Sequence, residues 1–263
     1  MVNQRKQYIL NAQQIYVLRL LYKFRFITAS FLAEHKGISR SACNQMLAIL
    51  VKRELVDRHY AKDYKLLGKA ARYYLTAKGI KYLKDNFNLN EAVLHAMYKN
   101  KSVTEHFIDH HVDTEQTFLH LKQNYPDRFY VHTRNEQARF DTFPSPRSDL
   151  WLMPTETAQM PQQYFIELFH DVPPVHARKR LESLLQNYDE DWREDKYPTI
   201  SFVLADGRAE QNFQVYAKQV LDSSGIEDEV TILTTSFKAL ISHDSVVWSS
   251  VLKPDELKDL NNQ

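Results

Sequence analysis

Cysteine is almost missing from this chain: Cys43 stands alone among 263 residues. An internal disulfide is excluded, and the composition suits a reducing compartment, so the cytoplasm is the expected location. Glycine is nearly as scarce, and Gly37, Gly68, Gly79, Gly207 and Gly225 nowhere build a glycine-rich phosphate loop. That argues against a nucleoside triphosphatase and against a dinucleotide-binding oxidoreductase. No apolar run approaches the roughly 18 to 20 residues of a membrane span. The opening Met-Val-Asn-Gln-Arg-Lys-Gln lacks the apolar core of a signal peptide, so neither membrane association nor export is expected.

What is present is an ordinary globular composition, 43% hydrophobic and 25% charged, in a length that fits two domains. The net charge of +1 conceals a division. Residues 1–86 hold 17 Lys and Arg against 5 Asp and Glu, a net of +12, which leaves −11 for the remainder. A basic front half is the footprint of a polyanion partner.

Asn11 can cap a helix running to about Arg25, with Ile15, Leu18, Leu21 and Tyr22 at helical spacing. Thr28 caps a second, Ala29 to His35, which Gly37 ends. Ser39 caps a third, Arg40 to about Arg53, whose inner stripe is Cys43, Met46, Leu47 and Leu50. Its outer face is then Arg40, Ser41, Asn44, Gln45, Ala48 and Lys52, which is polar, cationic and small in the middle. Two strands follow, Leu55 to Tyr60 and Ala71 to Leu75, around the basic stretch Ala61 to Lys69. Three helices with a tight turn before the third, then a hairpin, predict a winged helix-turn-helix that places its third helix in the major groove of double-stranded DNA. Asn44 and Gln45 have the amides to read adenine, and Arg40 the guanidinium to read guanine. Arg58, Lys62, Lys65, Lys69 and Arg72 are expected to face phosphates. The alternative is a solvated helical domain or a protein-binding module.

The predicted organisation is a DNA-binding domain over 1–88, a linker over 89–102 and an α/β domain over 103–263. A long helix is expected from Val103 to about Asn124. His106 and His110 on it have the i, i+4 spacing of a zinc pair, but with no Cys or third ligand near them they read as helix-face or packing residues. Tyr98 reads as a linker aromatic. Strands are expected at 129–133, 138–142, 149–153, 164–169, 200–205 and 230–234, with helices at 175–192, 210–222 and 236–243. The fold class is therefore α/β (α+β), with a mixed sheet.

Two of these strands each carry one acid among β-forming apolar residues: Asp149 opens Leu-Trp-Leu-Met, and Glu167 lies near the end of Tyr-Phe-Ile-Glu-Leu-Phe. Carboxylates in such places hold a cation, share a proton or sit at a rim. Taken singly, Asp149 could serve a turn after Pro146, Glu167 could pair with Arg178 or Arg180 at a sheet edge, and Glu136 could be a loop charge.

The "Tyr-Leu-Thr-x-x-Gly-x-x-x-Leu" ending of the hairpin, "Thr-Arg-Asn-Glu136", "Pro146-Arg-Ser-Asp149-Leu-Trp-Leu" and "Tyr-Phe-Ile-Glu167" together resemble the replication-relaxation family of plasmid and mobile-element proteins, over roughly residues 11–205. They also resemble restriction-endonuclease-like mobilisation relaxases. The resemblance implies a PD-(D/E)XK nuclease-like second domain in which Glu136, Asp149 and Glu167 hold Mg2+ or Mn2+ for phosphodiester hydrolysis. One position departs from that pattern: Phe169 stands where such nucleases keep a lysine. The cation would then come from the following helix, from Lys179 or Arg180. The expected function is recognition of an origin-like DNA site and nicking or relaxing of the DNA there, alongside other mobilisation or replication proteins. The alternative is a non-enzymatic transcriptional or replication regulator whose nuclease-like domain serves dimerisation or partner binding.

Overall fold

The computed structural model describes residues 10–140, 143, 146–156, 162–192, 197–242, 248–252 and 257–258. The chain divides into two compact units, Met1–His111 and Val112–Gln263.

In the first unit α1 (Ala12–Phe24), β1 (Ile27–Thr28), α2 (Ala29–Lys36) and α3 (Arg40–Lys52) are followed by β2 (Val56–His59), β3 (Arg72–Leu75) and α4 (Ala77–Asn86). Local sequence sets each boundary. Asn11 accepts from the Gln14 amide while the Gln14 side chain accepts from the Asn11 amide, a reciprocal cap on α1. The hydroxyls of Thr28, Ser39 and Thr76 cap α2, α3 and α4 by accepting from the amides of Phe31, Ala42 and Gly79, each contributing about 1 kcal/mol. Gly37 closes α2 at φ +64°, a conformation that carries little penalty only without a Cβ. Val17, Leu18, Leu21, Leu32, Cys43, Leu47, Leu50 and Leu83 are fully enclosed.

The strands form an antiparallel sheet in the order β1-β3-β2, with Ile27 opposite Tyr73 and Arg58 opposite Tyr73 from the other side. The short β1 was not foreseen. Gly79 in α4 has a steric reason: a Cβ there would stand 2.1 Å from the Leu55 carbonyl oxygen. The helix after the hairpin thus lies directly against the chain entering it.

Residues 89–102, expected to be a linker, are packed into this unit. They form α5 (Glu91–Met97) and a 3-10 turn at Asn100–Ser102, with Leu94, Met97 and Asn100 buried. Arg25 holds them, donating to Asn100 Oδ1 at 2.6 Å and to the Ala96 carbonyl at 2.9 Å. The next helix, α6 (Glu105–Asn124), contains the boundary between the two units.

The second unit continues with β4 (Phe129–Thr133), α7 (Arg134–Gln137), β5 (Leu150–Pro154), β6 (Tyr164–Phe169), α8 (Pro174–Asn187), β7 (Thr199–Leu204), α9 (Gly207–Ser224), β8 (Ile232–Ser236), α10 (Phe237–Ser242), β9 (Trp248–Ser250) and β10 (Leu257–Lys258). Its mixed sheet has the order β10-β9-β8-β7-β6-β5-β4. β4, β5 and β6 are antiparallel, β6, β7 and β8 are parallel, and β9 turns back. β6 and β7 are buried along nearly their whole length, as strands covered on both faces are. Phe165, Ile200 and Phe202 pack with Ala177, Leu181 and Leu184 of α8 and Phe213 and Ala217 of α9 in one core.

The mixed α/β class is as expected. Of the strand anticipated at 138–142, residues 138–140 are turn and coil after the helical turn 134–137, and 141–142 lie outside the described residues. β9 and β10 carried too few residues to be read from their pattern.

Candidate functional site

On α3 the face foreseen as open is open: Arg40, Ser41, Asn44, Gln45, Ala48 and Lys52 are all exposed, while Cys43, Leu47 and Leu50 are buried. Among the described residues these amides and cations are exposed to water. Arg58, Lys62 and Lys65 are also exposed.

Two of the residues expected to face phosphate are engaged elsewhere. Arg72 is 5% exposed and donates to Asp109 of α6 at 2.6 Å, with its guanidinium over the Tyr64 ring at 4.6 Å. Lys69 bonds Glu105 at 2.5 Å and Asp109 at 3.0 Å, and these hydrogen bonds hold its ammonium above its ordinary value. Strand position decides this, since Arg72 lies in β3, the middle strand of the sheet, and points inward.

In the second unit the three acids come from α7, the chain entering β5, and β6. Strand register puts Glu167, Phe202, Thr234 and Ser249 in one row across the sheet, and continuing the β5–β6 register one residue past its last pair, Leu150 with Ile166, sets Asp149 opposite Glu167. Asp149 and Glu167 are therefore cross-strand neighbours on one face. Asp149 is 4% exposed and both of its oxygens are engaged. Oδ1 accepts from Arg134 at 2.6 Å, and Oδ2 accepts from the Leu168 amide at 2.9 Å, just beyond the last β5–β6 backbone pair. Gln137 fixes the same approach by donating to the Ser148 carbonyl at 3.0 Å.

Glu167 is 1% exposed, on the face that buries Phe165 and Phe169 under α8. A carboxylate there needs a cation. Arg180 supplies it, at 2.7 Å, from the buried side of α8, and also reaches the Ser148 hydroxyl at 3.4 Å. Burial works to lower the Arg180 guanidinium's pKa, but the charge and hydrogen bond of Glu167 and the charge of Asp149 outweigh it, and the net shift is upward. Lys179, the other cation considered, is exposed to water. Glu167 lies on an interior strand, so the pair joins the middle of the sheet to α8 and is not at the sheet's edge. Glu136 is half-buried and accepts from the Thr133 amide at 3.0 Å at the start of α7. Phe169 packs on Phe202, ring centroids 5.9 Å apart.

As arranged, these groups do not fit a divalent cation. Both Asp149 oxygens and one oxygen of Glu167 already accept hydrogen bonds, two of them from guanidiniums whose charge would oppose an ion. Among the described residues no group of three or more His, Cys, Asp or Glu is placed to hold a metal. What the arrangement does is tie α7, β5, β6 and α8 together through two charge-assisted contacts.

Arg134 and Glu210 were not singled out from the sequence. Arg134 stands two residues before Glu136 in "Thr-Arg-Asn-Glu", and its value depends on how β4 and β5 pair. His170 bonds Asp113 of α6 at 2.9 Å and stacks on Phe237 at 3.8 Å. Glu210 accepts from the Thr234 hydroxyl at 2.8 Å, and burial raises its carboxyl above the ordinary value. Of the α6 histidines, His111 packs on Phe107 at 4.7 Å and Phe26 at 5.8 Å.

No helix among the described residues is long and apolar enough to cross a membrane. Neither the curated proteins nor the solved structures contain a match to the chain. The sequence model of one family, described as Replication-relaxation, matches residues 18–212, from α1 through the first turns of α9. Spanning most of the chain and both units, that match makes this protein a member of the replication-relaxation family.

Proposed function

We propose that this protein is a DNA-binding component of plasmid or mobile-element replication or mobilisation, whose first unit is a winged helix that locates an origin-like site in duplex DNA. The observation carrying this reading is the outer face of α3, where Arg40, Ser41, Asn44, Gln45 and Lys52 are all exposed on a helix otherwise seated in the core. The element order, the antiparallel β1-β3-β2 sheet and the +12 charge of residues 1–86 agree with it. Asn44 and Gln45 would read base edges and Arg40 a guanine or a phosphate. Arg58, Lys62 and Lys65 would bind phosphate. The α/β unit, its acids clamped by arginines, would then serve assembly, through dimerisation or contact with other replication or mobilisation proteins.

A second reading keeps the nuclease activity, and the shared row of Asp149 and Glu167 is what favours it. It requires Arg134 and Arg180 to leave the two carboxylates so that Mg2+ or Mn2+ can enter, with Glu136 completing the set.

One experiment separates the readings. The protein is incubated with supercoiled plasmid bearing its own origin, with and without Mg2+ or Mn2+, as wild type and as Asp149→Ala and Glu167→Ala. Tight binding without nicking supports the assembly reading. Metal-dependent nicking that both variants lose supports the second. Absence of binding to any duplex sinks the shared premise.

A further inference from the structure

Leu66 and Leu67 at the tip of the hairpin are 89% and 61% exposed, and Leu66 is the most exposed large apolar side chain among the described residues. Single exposed leucines are ordinary, but two in succession on a projecting loop need a reason. The loop is not open for want of structure. Tyr64 is buried at its base, with Arg72 over its ring at 4.6 Å and Tyr60 against its edge at 5.9 Å. The Leu67 amide donates to the Asp63 carbonyl at 2.9 Å and the Lys69 amide to the Tyr64 carbonyl at 2.8 Å, while Gly68 turns at φ +66°. A compact turn, anchored from below, thus holds two leucines out into water.

The charge around them indicates what covers them. Lys62 and Lys65 precede the leucines in the same loop and are exposed, while Lys69 at the base is held by Glu105 and Asp109. Asp63 is the loop's one acid. The surrounding unit is strongly cationic, so the complementary partner is a polyanion with an apolar interior, and duplex DNA is one. Apolar wedges that enter between base steps from the minor groove, with cations on the adjoining phosphates, work in this way.

We propose that Leu66 and Leu67 form a wedge that inserts into the DNA minor groove and unstacks a base step, with Lys62 and Lys65 binding the adjoining phosphates. This rests on the DNA-binding reading and adds to it a mode of engagement: the protein deforms the duplex it binds. A preformed tip loses little conformational freedom on insertion, which favours the wedge over an ordered-on-binding loop. Local unstacking is what an origin-binding protein would need at the start of strand separation.

The test uses the full chain and a mixed-sequence duplex with 2-aminopurine at its TA and CA steps. Affinity and emission are read for wild type, Leu66→Ala/Leu67→Ala and Lys62→Ala/Lys65→Ala, each checked by thermal melting. Wild type should brighten the probe. The leucine variant should melt as wild type does, bind about tenfold more weakly and leave the probe dark. The lysine variant should lose affinity with a shallower salt dependence. If wild type binds but the probe stays dark, or the leucine variant binds and brightens it equally, the wedge is refuted while DNA binding stands. If wild type binds no duplex, the underlying reading fails as well. Leucine-dependent sedimentation with phosphatidylglycerol vesicles, in place of a DNA effect, would also overturn the wedge.

Discussion

Glu167 and Arg180 meet at 2.7 Å inside the second unit, the carboxylate 1% and the guanidinium 6% exposed. An ion pair so placed has lost its hydration and depends on the partner to compensate. Removing one member leaves an uncompensated charge, at a cost of about 3–5 kcal/mol, whereas replacing both by apolar groups of similar volume is close to neutral. Glu167→Leu and Arg180→Met are each expected to lower the urea midpoint sharply, and the double variant to recover most of the loss. Additive losses in the double-mutant cycle would mean the pair is not coupled as the geometry states.

Arg40 and Arg72 are expected to behave oppositely, although the sequence presents both as candidate DNA contacts. Arg40→Ala should weaken duplex binding and reduce the salt slope by about one counterion, with little change in melting temperature. Arg72→Ala leaves Asp109 without its guanidinium and should destabilise the first unit by about 1.5–3 kcal/mol. Its salt slope should equal that of wild type once measured on folded protein.

Gly79→Ala tests the close approach between α4 and the chain entering β2. The added Cβ would stand 2.1 Å from a backbone oxygen, which cannot rotate away as a side chain can. Despite the better helix propensity of alanine, the variant should lose about 1–3 kcal/mol by calorimetry. A gain in stability would contradict the packing.

Glu210 predicts a pH dependence. Burial raises its carboxyl above 4.5, so the folded state favours the protonated form. Its contribution to stability is fully present below about 4.5 and is lost as pH rises through the raised folded value. Glu210→Gln keeps a neutral group of the same shape beside Thr234. Urea midpoints taken from just below 4.5 to about 7 should therefore fall less with pH in the variant than in wild type. Parallel curves would refute the assignment.

The sequence was most legible where local chemistry decides the outcome. Asn11, Thr28 and Ser39 each stand at the helix start their side chains predict, because a cap bonds an amide two or three residues away. The open face of α3 followed from helical periodicity alone. Segment 138–142 misled because an apolar residue or two beside charges fits a strand as well as a turn, and neighbouring chain decides between them.

Asp149 and Glu167 could be found as carboxylates in β-forming surroundings, because alternation and composition are written locally. That they share one row, that Arg134 and Arg180 clamp them, and that Arg72 turns inward to Asp109 are matters of register and of helix docking across 13 to 37 residues of chain. Sequence by itself thus determined the elements, the charge division and the residue types available for chemistry. Only the tertiary structure decided which charges meet water and which meet each other. Burying a charge costs more free energy than any local preference supplies, so its partner is chosen by whatever packing brings within hydrogen-bond reach.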